Sequence, residues 1–244
     1  MGRSLHEATF AVVDVETTGI DPATDRVVEV ACVLTRGGRI IQTFSTLVHP
    51  ERPIPASASA VHHITDTMVA DAPRLANVAP SIAAMCADAI VVAHNASFDL
   101  SFLPFLNHRP VLCSMRLAQR VVPDAPNHKN QVLRYHLGID LSGLTDVIAH
   151  RALGDAEITS RILAICLERY LSQGGADDAS LLVSELAAPR QLDALPFGRH
   201  RGVPLHEVPS DYLQWTMTKA TSVSNDARFS ITNELARRTT VNLQ

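Results

Sequence analysis

Three short stretches of this 244-residue chain place carboxylates where apolar residues would be expected. The first is Phe10-Ala11-Val12-Val13-Asp14-Val15-Glu16-Thr17-Thr18-Gly19. Strand alternation sets Phe10, Val12, Asp14 and Glu16 on one face. Two acids side by side at the end of an apolar strand repel each other and lose hydration. Burying them is costly unless a cation or hydrogen-bond donors compensate. A strand that frays into solvent would avoid that cost. The Thr-Thr-Gly that follows instead offers two hydroxyls and a residue small enough for the backbone to turn against a ligand. The second stretch is Ala93-His94-Asn95-Ala96-Ser97-Phe98-Asp99, in which Asp99 taken alone also reads as the N-cap of a following helix. The third is His150-Arg151-Ala152-Leu153-Gly154-Asp155. Asp155 starts an apolar stripe through Ile158 and Ile162 and so faces a core, or else it compensates a helix dipole. Carboxylates gathered in this way are donors for hard divalent cations.

The elements that must position these acids are legible in outline. Thr9–Glu16 and Arg26–Thr35 are β-rich runs, and the Gly37-Gly38 pair leads into a third, Ile40–Val48, as a hairpin. From Pro50 to Pro73 four prolines mark a long loop. Val78, Ile82 and Cys86 then share a helical face, with Pro80 tolerable in the first turn. Ile90–Ala93 reads as a short buried strand and Asp99–Leu106 as a helix disturbed at Pro104. Val111–Cys113 is a further strand, and Asp155–Leu171 a helix with Ile158, Ile162, Cys166 and Tyr170 on one stripe. Antiparallel strands followed by alternating helices and strands make a mixed-sheet α/β domain.

Composition bounds the class. Hydrophobic residues at 46% and charged residues at 19% allow a sizeable core and argue against disorder. No apolar run is long enough for a membrane helix, and the first ten residues lack the apolar region of a signal peptide. Cys32, Cys86, Cys113 and Cys166 lie far apart, as buried reduced thiols of a cytoplasmic protein would. A net charge of −4 disfavours a passive basic coat for nucleic acid. The charge is uneven: residues 190–244 carry seven Arg/Lys against five acids, net +2, leaving −6 on residues 1–189. A small, polar stretch, Ser172–Asp178, separates a main domain, residues 1–172, from a linker with a possible short helix, 173–189, and a small C-terminal module, 190–244.

Taken together and in order, D-V-E-T-T-G, H-N-A-S-F-D and H-x4-D closely resemble the motifs of the DEDDh (DnaQ-like) 3′→5′ exonucleases, among them the epsilon subunit of DNA polymerase III and exonuclease X. Pro55–Thr65 is similar to a further family loop, usually V-H-G-I-T, with His63 in place of the glycine. The resemblance implies a ribonuclease H-like fold with a central five-stranded mixed sheet flanked by helices. It carries over Asp14, Glu16, Asp99 and Asp155 as ligands of two Mg²⁺ ions, with Mn²⁺ as a substitute, and His150 as general base. Elementary chemistry agrees. Phosphodiester hydrolysis adds an oxygen nucleophile to an anion, which paired cations about 3.5–4 Å apart make feasible. An imidazole with an ordinary pKa near 6.5 can take the water's proton. The resemblance further implies that the backbone at Thr17, Thr18 and Gly19 holds the terminal nucleotide, that Ile20 wedges against its base, and that His62 contacts the substrate near the scissile phosphate. Phe98 packs in a core or stacks on a base.

Behind this domain, P-F-G-x-x-x-G from Pro196 and Y-L-x-W from Tyr212 resemble a small module found after exonuclease X-type nuclease domains. Phe197, Tyr212 and Trp215 are expected as its core. Arg199, His200 and Arg201 on a glycine-bounded turn either grip phosphates or form a solvated basic turn. The function implied is release of nucleoside 5′-monophosphates from the 3′ end of DNA. The alternatives are RNA trimming and a polymerase-accessory nucleic-acid-binding protein. The partners are nucleic acid and a DNA polymerase, with no membrane.

Overall fold

The computed structural model describes residues 2–142, 150–220 and 223–241. They form two compact units, the first ending at Ala187 and the second beginning at Ala188. The first unit is built on five strands: β1 (Thr9–Thr17), β2 (Val27–Arg36), β3 (Arg39–Leu47), β4 (Ile90–Ala93) and β5 (Val111–Cys113). Their order in the sheet is β3-β2-β1-β4-β5. The first three run antiparallel, whereas β4 and β5 lie parallel to β1, which makes the mixed ribonuclease H-like sheet the motifs imply. Eight helices belong to this unit among the described residues: α1 (Ala56–His62), α2 (Asp66–Val69), α3 (Leu75–Met85), α4 (Ala96–Phe102), α5 (Ser114–Val121), α6 (Asn130–His136), α7 (Ala152–Ser172) and α8 (Ala179–Ala187).

β1 lies at the centre of the sheet and is covered on both faces, so it must be apolar on both. Phe10 and Val12 join Leu117 of α5, Leu133 of α6, Ile158 of α7 and Leu182 of α8 in one core. Ala11, Val13 and Val15 face the other way, into a core with Ile82 of α3 and Leu100 of α4. The alternation continues past Val12, so Asp14 and Glu16 emerge on the α7 side of the sheet.

Several local expectations shift. The proline-rich stretch 50–73 is not plain loop: Pro55 sets an extended backbone just before α1, and Ala-Ser-Ala-Ser-Ala continues as helix. Helices α5 and α6 close the α7 face; the first buries Ser114, Leu117, Ala118 and Val121 at helical spacing, a stripe that escaped the sequence reading. Because α4 starts at Ala96, Asp99 lies inside its first turn and is not the N-cap. Pro80 falls in the interior of α3, not its first turn, with its ring on the exposed side, where the carbonyl it leaves unbonded can reach water. The expected boundary at 172 moves to 187, because Ala179, Leu182 and Leu186 of α8 are buried in the core of the first unit. All four cysteines are free thiols, three of them buried.

The second unit contains a short 3-10 turn (Leu205–Glu207), α9 (Ser210–Lys219) and α10 (Asn225–Val241). Its core is Leu195, Leu205, Val208, Leu213 and Ile231, with Phe197 and Tyr212 partly buried against it. Trp215 does not join this core as expected: it is 52% exposed. In α9 the buried positions are Leu213 and Thr216, and Trp215 falls between them on the outer face. Glu234 holds Arg237 and Arg238 on α10, and Arg238 also donates to the Leu205 and Val208 carbonyls. Two of the module's seven cations are thereby spent on its own structure.

His63 ends α1 with φ 59° and ψ 19°, the left-handed conformation in which the related loop has glycine. The histidine thus adopts a conformation that glycine takes without penalty, at the expense of local strain. His63→Gly should stabilise the protein by up to about 1 kcal/mol, the left-handed penalty of roughly 1–2 kcal/mol reduced by glycine's extra chain entropy. Thermal unfolding should then rise by ~2–4 °C. A lower melting temperature would show that the histidine side chain contributes more than its backbone costs.

Candidate active site

The site grows out of the C-terminal end of β1. The ladder with β2 slips between Glu16 and Thr17, and such a bulge bends a strand end and re-aims its side chains. Asp14 and Glu16 are half-buried there. Asp155, from the first turn of α7, meets them: one oxygen from each of Asp14, Glu16 and Asp155 lies within 4.8 Å of the others. Asp99 enters from α4, fully buried, with Oδ1 accepting the Val15 amide at 3.3 Å. That bond ties Asp99 to the residue between the two β1 acids. Asp155 is itself held: Oδ1 accepts from Gln131 Nε2 at 2.7 Å and Oδ2 from the His150 backbone amide at 3.1 Å. His150 is exposed and left-handed at φ 61°.

Charge repulsion dominates the electrostatics. Burial, and then the charges of Asp99, Asp155, Glu16 and Glu29, drive the Asp14 carboxyl well above the usual carboxylate range. Burial first, then Asp155 and Glu29, push Glu16 up to about 8, with Arg151 pulling the other way. Asp99 is raised by burial to about 7. Asp155 is raised by burial too, against the pull of Gln131 and His150. Acids so placed retain protons near neutrality unless a cation replaces them. Converging hard oxygen donors with excess negative charge are the donor set of a divalent metal ion of the Mg²⁺ type.

One buried acid escaped the sequence reading. Glu29 lies directly across the ladder from Glu16 and is 3% exposed. Arg151 donates to it through Nε and Nη2, the shortest distance being 2.6 Å, and the Ala152 amide donates at 2.9 Å. Glu29 therefore caps α7 from a neighbouring strand and fixes where Asp155 and His150 stand. The available signal was a lone charge in Val-Val-Glu-Val-Ala-Cys-Val-Leu, where an acid without a partner would be prohibitive.

Beside the carboxylates lies a cleft of about 300 Å³. Its walls include Glu16, Thr17, Thr18, Gly19 and Ile20 from the end of β1, His62 from α1 and Phe98 from α4. All the residues expected at the terminal nucleotide therefore share one cavity. Thr17 and Thr18 are buried, and Thr18 Oγ1 both donates to Asp25 Oδ1 and accepts the Arg26 amide. Gly19 is required by close approach, since a Cβ there would collide with the Asp25 carboxylate. Ile20 is 85% exposed. His62 Nδ1 accepts the Ile64 amide at 3.0 Å, which leaves the ring proton of neutral His62 on Nε2. Burial lowers the His62 pKa, and Nε2 is buried without a hydrogen-bond partner. The Thr17 backbone pulls the other way, favouring the charged ring. Phe98 does both things considered for it, packing against Phe102 at 5.3 Å between centroids and lining the cleft.

Comparison with known proteins agrees with this geometry. The sequence matches the exonuclease family RNase_T over residues 11–163. It is 36% identical over 179 residues to the PolC-type DNA polymerase III of Oceanobacillus iheyensis, covering 70% of this chain and 12% of that protein. It is 32% identical over 182 residues to the DNA polymerase III subunit epsilon of Treponema pallidum, covering 70% of this chain and 83% of that one. The chain thus spans about an eighth of the PolC-type relatives and most of the epsilon subunit. Among solved structures, exonuclease X in complex with 5′ overhanging duplex DNA superposes with a TM-score of 0.62 at 31% identity, covering 73% of this chain and 99% of that one.

Two outcomes follow from these charges. Glu16 and Asp99 bind protons more tightly folded than unfolded, so metal-free stability should fall as pH rises from about 4 to 8, by at most ~1.4 kcal/mol per pH unit for each group. Denaturation at several pH values checks the slope, which Glu16→Gln should flatten and added Mg²⁺ should reverse. Glu29→Gln should destabilise toward the lower end of roughly 3–5 kcal/mol, because Arg151 is partly exposed and less penalised when left unpaired. Unchanged stability in that variant would show that the pair does not anchor α7.

Proposed function

The chain belongs to the exonuclease family, and on that premise we propose that it is a metal-dependent 3′→5′ exonuclease acting on DNA and releasing nucleoside 5′-monophosphates. The observation that carries the proposal is the convergence of Asp14, Glu16 and Asp155 oxygens within 4.8 Å at the mouth of a cleft suited to a chain end. Asp14, Glu16, Asp99 and Asp155 would hold two Mg²⁺ ions, with Mn²⁺ an acceptable substitute. Bound there, such ions neutralise the scissile phosphate and acidify the attacking water.

The protein's own groups supply the rest. The backbone of Thr17, Thr18 and Gly19 holds the terminal nucleotide against the bulged end of β1, and exposed Ile20 meets its base. Neutral His62 carries its proton on Nε2 and offers it to a phosphate oxygen beside the cleft. His150 takes the proton of the attacking water as a new P–O bond forms. The bond from phosphorus to the 3′ oxygen breaks, and that oxygen is protonated from solvent. The Asp155–His150 backbone bond keeps metal ligand and base in register, and Gln131 fixes the second Asp155 oxygen. The names of the polymerase III relatives support a DNA polymerase as a protein partner, which co-elution with a replicative polymerase would test.

The test is incubation with 5′-labelled single-stranded DNA, its RNA equivalent and a mismatched duplex, each with Mg²⁺ or EDTA. Stepwise shortening of DNA from the 3′ end in Mg²⁺ alone is expected, and faster shortening of RNA would overturn the DNA assignment. Asp14→Ala should abolish cleavage while leaving the metal-free fold as stable or more so, since a carboxyl that the fold makes costly to ionise is removed. His150→Ala should bind Mn²⁺ with near wild-type affinity in calorimetry yet lose about 10²–10⁴ in rate. Loss of metal binding in that variant would make His150 a ligand and not the base.

A further inference from the structure

The displaced Trp215 is part of an organised surface on the second unit. Its ring stacks on Tyr212 at 5.6 Å between centroids with planes 30° apart. Arg199 Cζ lies 4.8 Å from the centroid of the same Tyr212 ring, and His200 meets that ring edge-on at 4.7 Å. Arg199 and Arg201 sit on a turn bounded by Gly198 and Gly202, at φ 70° and 81°, conformations that glycine adopts without strain. Gly198 has a second reason to be glycine: a Cβ there would collide with the Tyr212 hydroxyl. The turn is thereby brought down onto the tyrosine. Between these groups opens a cleft of about 540 Å³ lined by Arg199, Asp211, Tyr212 and Trp215. The core of this unit is complete without Trp215, so packing does not account for an aromatic stack carried on the outer face of α9 with the Arg199 guanidinium beside it and Arg201 two residues further along the same turn.

We propose that Trp215, Tyr212, Arg199 and Arg201 form a single-stranded polynucleotide site on the second unit, distinct from the carboxylate site, in which a base stacks on Trp215 and the arginines meet the adjoining phosphates. A π face beside cations is the arrangement that holds single strands with little regard to sequence, because every base offers a face and every linkage a charge. Asp211, at the rim, is an acceptor for a base amino group and keeps the cleft from being a general anion trap. The site goes beyond the nuclease reading and does not depend on it, since binding here requires no metal.

Trp215 is the protein's one tryptophan, so its emission reports this site alone. The full chain is titrated in EDTA with (dT)15, (rU)15, a 15-mer abasic sugar-phosphate strand and inorganic polyphosphate. Saturable quenching by the base-bearing strands, and none by the other two, is expected. Comparison of (dT)15 with (rU)15 distinguishes DNA from RNA as the source of the ligand. Anisotropy of labelled (dT)15 reads the variants: Trp215→Ala should weaken binding by about 5- to 150-fold, the loss of one base–aromatic stack, and Trp215→Phe should restore most of it. Arg199→Ala with Arg201→Ala should flatten the log–log salt dependence by up to about two units. Unchanged emission throughout, or equal quenching by polyphosphate, overturns the proposal. Quenching without hydrolysis in Mg²⁺ would instead sink the nuclease reading and leave this site standing. Hydrolysis without quenching would do the reverse.

Discussion

Acidic groups held together and partly out of water are the constraint on which the first unit turns. Asp14 and Glu16 on β1, Asp99 on α4 and Asp155 on α7 raise one another's proton affinity, and burial raises it further. Nothing about the folding of those elements favours that arrangement. It persists because the surrounding frame leaves no alternative. β1 is locked between β2 and β4 with both faces covered, and α7 is anchored to β2 by Glu29, while the Val15 amide holds Asp99 in place. The frame is over-determined at the point where the acids are repulsive, and this is how a fold stores strain at a functional site.

The anchors are as informative as the acids. Buried Glu29 and partly exposed Arg151 form an ion pair beside the site, and their contribution is positional: the two donors of Arg151 and the Ala152 amide converge on one carboxylate and hold the start of α7 against β2. Its first turn then presents Asp155 inward while His150, left-handed and exposed, stays in reach of water. The proposed metal ligand Asp155 and the proposed base His150 come from one short segment, joined by a single backbone hydrogen bond.

Much of this was legible in the amino-acid sequence. Period-two alternation put Asp14 and Glu16 on one side of β1, and the stripe from Ile158 to Tyr170 turned Asp155 toward the same core. What escaped was of two kinds. Contacts between residues far apart in sequence leave no local trace, so the partnership of Glu29 with Arg151 could not be read from spacing. The short helix α1 carries too few turns for its periodicity to stand out, whereas the stripe of Leu117, Ala118 and Val121 in α5 is a legible signal that was passed over; α8 reads as linker because Gly174-Gly175 and the two aspartates before it look like an end. Trp215 was misplaced for a simpler reason: an aromatic residue in a small module is expected to be core, and here Leu213 already fills that position. The sequence therefore located the chemistry better than it located the supports.

The strand that carries Asp14 and the helix that carries Asp155 stand about 140 residues apart in the chain. A ribosome delivers β1 early, but no cage for a cation exists until α7 has been made and has docked. During synthesis the emerging chain carries Asp14, Glu16 and Asp99 well before Asp155 can join them. The carboxylate cluster is therefore completed late, when α7 meets the end of β1. The topology of the unit thus withholds its complete donor set until nearly all of it has been made.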